Sequence, residues 1–329
     1  MYPTFYGDIA GSLTINRNLV HEIQLNIGRT FMSRTTPLFT GVATALITAF
    51  RDGEIDWQAM EQLIESQIAS GVSALVPCGS TGESSTLTHG EHMNLVDFTI
   101  RKTRGRIPVI AGTGSNSTRE ATELSLKARV SRADGVLLIS PYGNKPTQEG
   151  LFRHYQTVAK AGGPPIIAYN IPGRTGISID PITIARLAEG GWIVGVKDAT
   201  GSLDWTQEVI RRCGNEFAVF SGDDSLTLPI MAVGGRGVIS VISNVVPTEF
   251  GKMVEAITRG DYEQARTLNY RLLPLMRALF LETNPIPVKA ALSMMRICQD
   301  ELRLPLVSMT TSNRAKLREE LEKVGVVKK

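Results

Sequence analysis

From about Thr44 onward, short apolar runs alternate with longer amphipathic ones. The apolar runs are VATALIT (42–48), VSALVPCG (72–79), IPVIAGTG (107–114), DGVLLIS (134–140), PPIIAYN (164–170), WIVGVKD (192–198), FAVFSG (217–222) and GVISVIS (237–243). Each has the length of a strand, is almost continuously apolar and is rich in Val and Ile, as expected of a strand buried on both faces. The segments between them read as helices with proper ends. Asp56 precedes Trp57, Met60, Leu63, Ile64 and Ile68, spaced three or four apart on one face. Ser117-x-x-Glu120 reads as a capping box ahead of Leu124 and Ala128. Asp180-Pro181 is a helix start with Pro at the first helical position. Eight buried strands, each followed by a helix-sized segment, predict an α/β fold of the (β/α)8 TIM-barrel type. An open doubly wound sheet is the alternative, and it usually has fewer strands. After residue 260 the rhythm changes. The stretches 261–280 and 312–324 read as helices, the second with Leu317, Leu321 and Val324 on one stripe. The expected organisation is therefore an N-terminal extension over 1–36, a barrel over 37–260 and a helical C-terminal appendage over 261–329.

Composition narrows the class without changing it. The chain has 329 residues, 42% of them hydrophobic, with 35 Lys and Arg against 32 Asp and Glu for a net charge of +3. That is globular usage, too apolar and too weakly charged for a disordered protein. No apolar run approaches the roughly 18 residues of a membrane helix, and no basic stripe suggests nucleic acid. Cys78, Cys213 and Cys298 are odd in number, far apart and form no CxxC pair. They point to a reducing compartment without disulfides or structural zinc. The first thirty or so residues lack the basic start and apolar core of a secretory signal and precede Met32. They read as an extension without a folded role, or as a misassigned start.

In a barrel of this kind chemistry sits at the C-terminal ends of the strands and in the loops that follow. The second strand ends in Gly79-Ser80-Thr81-Gly82-Glu83, the fifth in Tyr169-Asn170 and the sixth in Lys197-Asp198. Lys197 ends an otherwise apolar strand. Desolvation there favours the neutral amine, the nucleophile that makes a Schiff base with a carbonyl. A lysine at a strand end can also snorkel to solvent. Tyr169, on the neighbouring strand, shares the same barrel mouth, where a phenol can shuttle the protons of carbinolamine formation and dehydration. The hydroxyls and N–H groups of Ser80-Thr81-Gly82 suit a carboxylate, although the same residues also make an ordinary turn. Ser80 is placed to pass a proton to Tyr169. Arg174 is a fork-shaped donor for a second carboxylate, with a surface salt bridge as its ordinary alternative.

The motifs GSTGES (79–84), SPYGNKPTQEG (140–150), YNIPGRTG (169–176), GVKDATG (195–201), SGDD (221–224) and NPIPVK (284–289) resemble those of the dihydrodipicolinate synthase family, in order and spacing, from about Leu38 to the C-terminus. The resemblance implies that a barrel lysine condenses with pyruvate, and that the resulting enamine attacks L-aspartate 4-semialdehyde on the diaminopimelate route to lysine. Carried over residue by residue, Lys197 resembles the Schiff-base lysine and Tyr169 the proton donor. Ser80 stands where the family often has a relay threonine. Thr81, Ile239 and Gly222 match pyruvate contacts, and Arg174 the residue that receives the aldehyde's carboxylate. Ser84, Ser85, His89, His92, Asn116, Glu120 and Tyr142 resemble a feedback site for lysine. Taken singly, Glu120 reads as the capping partner of Ser117, and His89 and His92 as helix surface.

One position departs from the family pattern. The usual Tyr-Tyr-Asn loop reads Tyr142-Gly143-Asn144, so the second relay tyrosine is missing. That leaves open a slower enzyme, a rewired relay or a different activity. The alternatives are another pyruvate-dependent Schiff-base aldolase of the sugar-acid or sialic-acid type, or a non-catalytic barrel that binds lysine or pyruvate. Arg174, in its Pro-Gly-Arg-Thr-Gly setting, favours the aspartate-semialdehyde branch. No nucleotide loop, complete dinucleotide fingerprint or metal-ligand set is present in the sequence, and no cofactor or metal is implied. The remaining expectations are a cytoplasmic homo-oligomer, a tetramer built as a dimer of dimers, with no nucleic-acid or membrane partner.

Overall fold

A computed structural model describes residues 37–328. The extension expected over 1–36 lies outside the described residues. All eight expected strands form, trimmed to their hydrogen-bonded centres: β1 Gly41–Ala45, β2 Ala74–Val76, β3 Ile110–Gly112, β4 Gly135–Ile139, β5 Ile166–Asn170, β6 Gly195–Asp198, β7 Ala218–Ser221 and β8 Gly237–Ser240. All are parallel. β1 pairs with β2 and β8, and pairing then runs β8, β7, β6, β5, β4, β3. The remaining seam is narrow: a Leu75–Val109 bridge joins β2 to the approach of β3. Leu75 N–H donates to the Pro108 carbonyl at 3.0 Å and Gly112 N–H to that of Pro77 at 2.9 Å. Parallel strands need long crossovers, and helices supply them: α1 Trp57–Ala69, α2 His89–Thr103, α3 Thr118–Val130, α4 Gln148–Lys160, α5 Pro181–Glu189, α6 Leu203–Cys213, α7 Thr227–Ala232 and α8 Pro247–Thr258. Three more follow: α9 Tyr262–Ala278, α10 Ile286–Met294 and α11 Thr311–Lys323. Between β1 and α1 a two-stranded ribbon, Phe50–Arg51 with Glu54–Ile55, was not legible in the sequence because each strand is only two residues long.

The pleat sorts each strand into two cores. Ala43, Ala45, Ala74, Val76, Ile110, Leu137, Ile167, Tyr169, Ala218, Phe220 and Ile239 fill the barrel interior, with the Phe39 and Phe220 rings stacked at 4.2 Å. Their strand neighbours, Val136, Leu138, Ala168, Val196, Val219 and Val238, pack outward against the helices. Leu317 and Leu321 of α11 join that outer core, fully buried.

Helix starts agree with the sequence at Asp56, whose side chain accepts from Ala59 N–H, and at Asp180 with Pro181 at the first position. The Ser117 box is only half made. Ser117 caps the Glu120 N–H at 3.4 Å, but the Glu120 carboxylate is drawn away to His89 and Ser115. A complete capping box occurs instead at Thr88 and Glu91, opening α2.

Candidate active site

Tyr169 on β5 and Lys197 on β6 are register partners in adjacent strands, so the pleat turns both into the barrel mouth. The Lys197 ammonium nitrogen lies 4.3 Å from the centre of the Tyr169 ring. Lys197 is 5% and Tyr169 6% exposed. Asp198, the next residue, has the opposite parity and spends its carboxylate on Thr206 and the Thr200 N–H. Burial pulls Lys197 down to about 7, a fall that Arg174 reinforces and Asp224 opposes. Burial also pushes Tyr169 up to about 12. At neutral pH the pair is therefore a partly neutral amine beside a protonated phenol, the states that attack on a ketone and proton donation require.

Gly222 makes room for this lysine. A Cβ there would lie 3.0 Å from Lys197 Cε and 2.9 Å from both Ala199 Cβ and the Asp198 carbonyl. Its N–H is already given to Asp198 at 2.6 Å. Ile239 is fully buried in the interior cluster, facing Ala43 across the β1–β8 pair. Thr81, 4% exposed, accepts a hydrogen bond from Asn284 Nδ2 at 2.9 Å. Arg174 donates to the Asn284 backbone carbonyl at 2.7 Å. Among the described residues Arg174 does not make the surface salt bridge considered for it. Its charge is felt at both Lys197 and Tyr169. Ser80 stands in the turn after β2 but is not hydrogen-bonded to Tyr169 among the described residues; its carbonyl accepts Glu83 N–H at 3.2 Å.

Two residues of this site carried no assignment in the sequence. Asn284 bridges Thr81 and Arg174 from the connection before α10. Asp224 is 2% exposed and accepts Val241 N–H at 3.1 Å and Ile242 N–H at 2.8 Å through one oxygen, while its other oxygen has no partner among the described residues. Burial pushes it up to about 6. Both lie in motifs that were visible, NPIPVK and SGDD, but their roles depend on contacts more than 15 residues away in sequence.

A second polar cluster lies where α2, α3 and the loop after β4 meet. His89 Nε2 is 2.5 Å from Glu120 Oε1, and Ser115 donates to the other Glu120 oxygen. Asn116 Nδ2 donates to the Tyr142 carbonyl at 3.0 Å, and Asn144 Nδ2 to that of Asn116 at 2.8 Å. These bonds hold Glu120 below the usual carboxylate range, chiefly through Ser115 and His89. Burial and the Glu120 charge raise Tyr142. His92 is not helix surface: it is buried, and its Nε2 lies 2.7 Å from the Gly112 carbonyl. Ser84 and Ser85 sit in the short 3-10 turn Ser84–Thr86 that leads into α2. At Gly143, φ is +80°, and among the described residues a Cβ would meet only Asn116 Nδ2, at 3.9 Å. Space would admit a side chain there; the left-handed backbone is what favours glycine.

A parallel barrel with a buried lysine beside a tyrosine at its C-terminal mouth has the layout that the class of Schiff-base-forming aldolase barrels requires. Within that class, residues 38–324 match the model of the dihydrodipicolinate synthetase family, and the chain belongs to that family. It is 51% identical over 291 residues to a 4-hydroxy-tetrahydrodipicolinate synthase of Syntrophobacter fumaroxidans, covering 88% of this chain and all of that one. The fold superposes with a TM-score of 0.87 on dihydrodipicolinate synthase from Aquifex aeolicus, 47% identical over 88% of this chain and all of that one. With a TM-score of 0.86 it also matches the enzyme from Cyanidioschyzon merolae, solved with lysine bound, at 39% identity over 89% of this chain and all of that one.

Proposed function

We propose that the protein is a lyase of the 4-hydroxy-tetrahydrodipicolinate synthase type, joining pyruvate to L-aspartate 4-semialdehyde. The observation that carries this is the buried Lys197 amine beside the Tyr169 phenol. Neutral Lys197 attacks the pyruvate ketone carbon, and Tyr169 protonates the departing hydroxyl so that water leaves and the iminium forms. Loss of a methyl proton gives the enamine. Its carbon attacks the aldehyde of the second substrate, whose amine then displaces Lys197 as the ring closes. Thr81 and the N–H groups of its turn hold the pyruvate carboxylate, with Ile239 and Gly222 shaping the pocket around it. Arg174, oriented by Asn284, receives the carboxylate of the aldehyde. Ser80, in the turn beside Thr81, is the hydroxyl assigned to carry protons between Tyr169 and solvent once substrate brings the two within reach, since Gly143 has no side chain to do so.

The Glu120–His89–Ser115 cluster, with Asn116 and Tyr142, supports a feedback site in which lysine's ammonium meets Glu120. We read the three helices after residue 260 as a unit appended to the barrel that nonetheless supplies Asn284 to the site. Among the described residues no helix is long and apolar enough to cross a membrane. A cytoplasmic tetramer, a dimer of dimers, is the assembly we propose. The deciding experiment is the steady-state rate with both substrates, coupled to the reductase that consumes the product, with and without lysine. Robust turnover supports the assignment. No turnover, with pyruvate still trapped on Lys197 by borohydride, would move the protein to another aldolase.

A further inference from the structure

The turn that holds Ser80 and Thr81 ends in a buried ion pair that the proposed mechanism does not use. Glu83 and Lys289 have side chains with no solvent exposure, and Lys289 Nζ lies 2.6 Å from Glu83 Oε1. The second Glu83 oxygen accepts the Arg303 backbone N–H at 3.1 Å. Arg303 in turn grips Glu91 with both terminal nitrogens and donates to the Thr86 and Gly53 carbonyls. Lys289 and Arg303 each stand over the Phe50 ring, at 4.3 and 4.5 Å. Charges taken this far out of water are costly unless well paired. A surface-facing or apolar contact would have joined these segments at lower cost.

The turn itself leaves little slack. Glu83 adopts a left-handed conformation, with φ of 51°. Gly82 is pressed so closely that a Cβ would lie 3.1 Å from both Cys78 N and the Leu46 carbonyl, and its own carbonyl accepts Thr48 Oγ1 at 2.6 Å. Glu83 is the only charged residue in the turn, two positions from Thr81. Lys289 is on α10, which begins two residues after Asn284, the Thr81 partner. The helical segment after the barrel therefore grips the turn at two points.

We propose that Glu83 and Lys289 are positioning residues that set the Ser80-Thr81 turn for the pyruvate carboxylate, so that α10 tunes substrate affinity from outside the barrel. This rests on the pyruvate reading of the site. The test is the pyruvate concentration giving half-maximal borohydride trapping on Lys197, read by mass, together with the thermal midpoint. Lys289→Met leaves Glu83 buried and unpaired, so it should lower the midpoint and raise the half-trapping concentration about ten- to a hundredfold. In Glu83→Gln/Lys289→Met no charge is stranded. The midpoint should largely recover, while the half-trapping concentration stays raised. The double variant also carries the test if the single one does not fold. Recovery of affinity along with stability would reduce the pair to a fold strut and overturn the inference. Trapping by wild type and variants at the same pyruvate concentration would overturn it too. Absence of trapping in the wild type would sink the pyruvate reading, and this inference with it.

Discussion

Lys197 and Tyr169 share one low-dielectric site, and burial moves them in opposite directions: the lysine toward neutrality, the phenol away from ionisation. The rate of pyruvate trapping at low pyruvate should therefore rise with pH through about 7, as the amine loses its proton, and show no alkaline fall below about pH 10. A profile rising only near 10 would mean a solvated lysine. The same shift has a stability consequence. Between the folded value of about 7 and the ordinary lysine value, the unfolded chain binds a proton that the folded chain does not, so stability rises with pH across that window. Lys197→Met should abolish the adduct, flatten that rise and stabilise the fold at pH 7 by about 1–3 kcal/mol in denaturant unfolding. Tyr169→Phe keeps the ring under the amine and removes the proton donor; kcat should fall about 10²–10⁴-fold.

At the scale of elements, strand ends place Tyr169 and Lys197, and helix starts place His89 and Glu120. Lys197 was legible because a charge ending an apolar run is visible without a structure. The Glu120 contacts were not, since Ser117-x-x-Glu120 has the spacing of a box and only the approach of α2 brings His89 to compete for the carboxylate. His154 on α4 shows a similar tertiary effect. It is 4% exposed, its Nδ1 meets Thr118 Oγ1 at 3.0 Å at the start of α3, and its Nε2 has no partner among the described residues. Burial takes it down to about 4. Above about pH 6.5 it is neutral whether folded or not. As pH falls from there through 4, only the unfolded chain takes up the proton, and stability is lost. Acid unfolding followed by circular dichroism should show about 1–3 kcal/mol less loss over that window in His154→Gln than in the wild type.

For the whole molecule, the barrel brings together site residues from five strands and the loops after them, β2, β5, β6, β7 and β8, and the segment after it reaches back to Thr81, Glu83 and Arg174 through Asn284 and Lys289. If the Glu120 cluster is the lysine site, Glu120→Gln should weaken lysine inhibition at least tenfold, the scale of one charge-assisted contact, while turnover without lysine stays unchanged. Equal inhibition in both proteins would place the effector elsewhere. The sequence by itself determined the barrel and its eight strands, because buried parallel strands and capped helices write their periods locally, and it singled out Lys197 as a charge ending an apolar run. Only the tertiary structure decided what Asn284, Asp224, Glu83 and Lys289 do. Their partners lie far off in sequence, and desolvation, which sets both the Lys197 titration and the cost of the Glu83–Lys289 pair, is a property of the closed fold rather than of any segment.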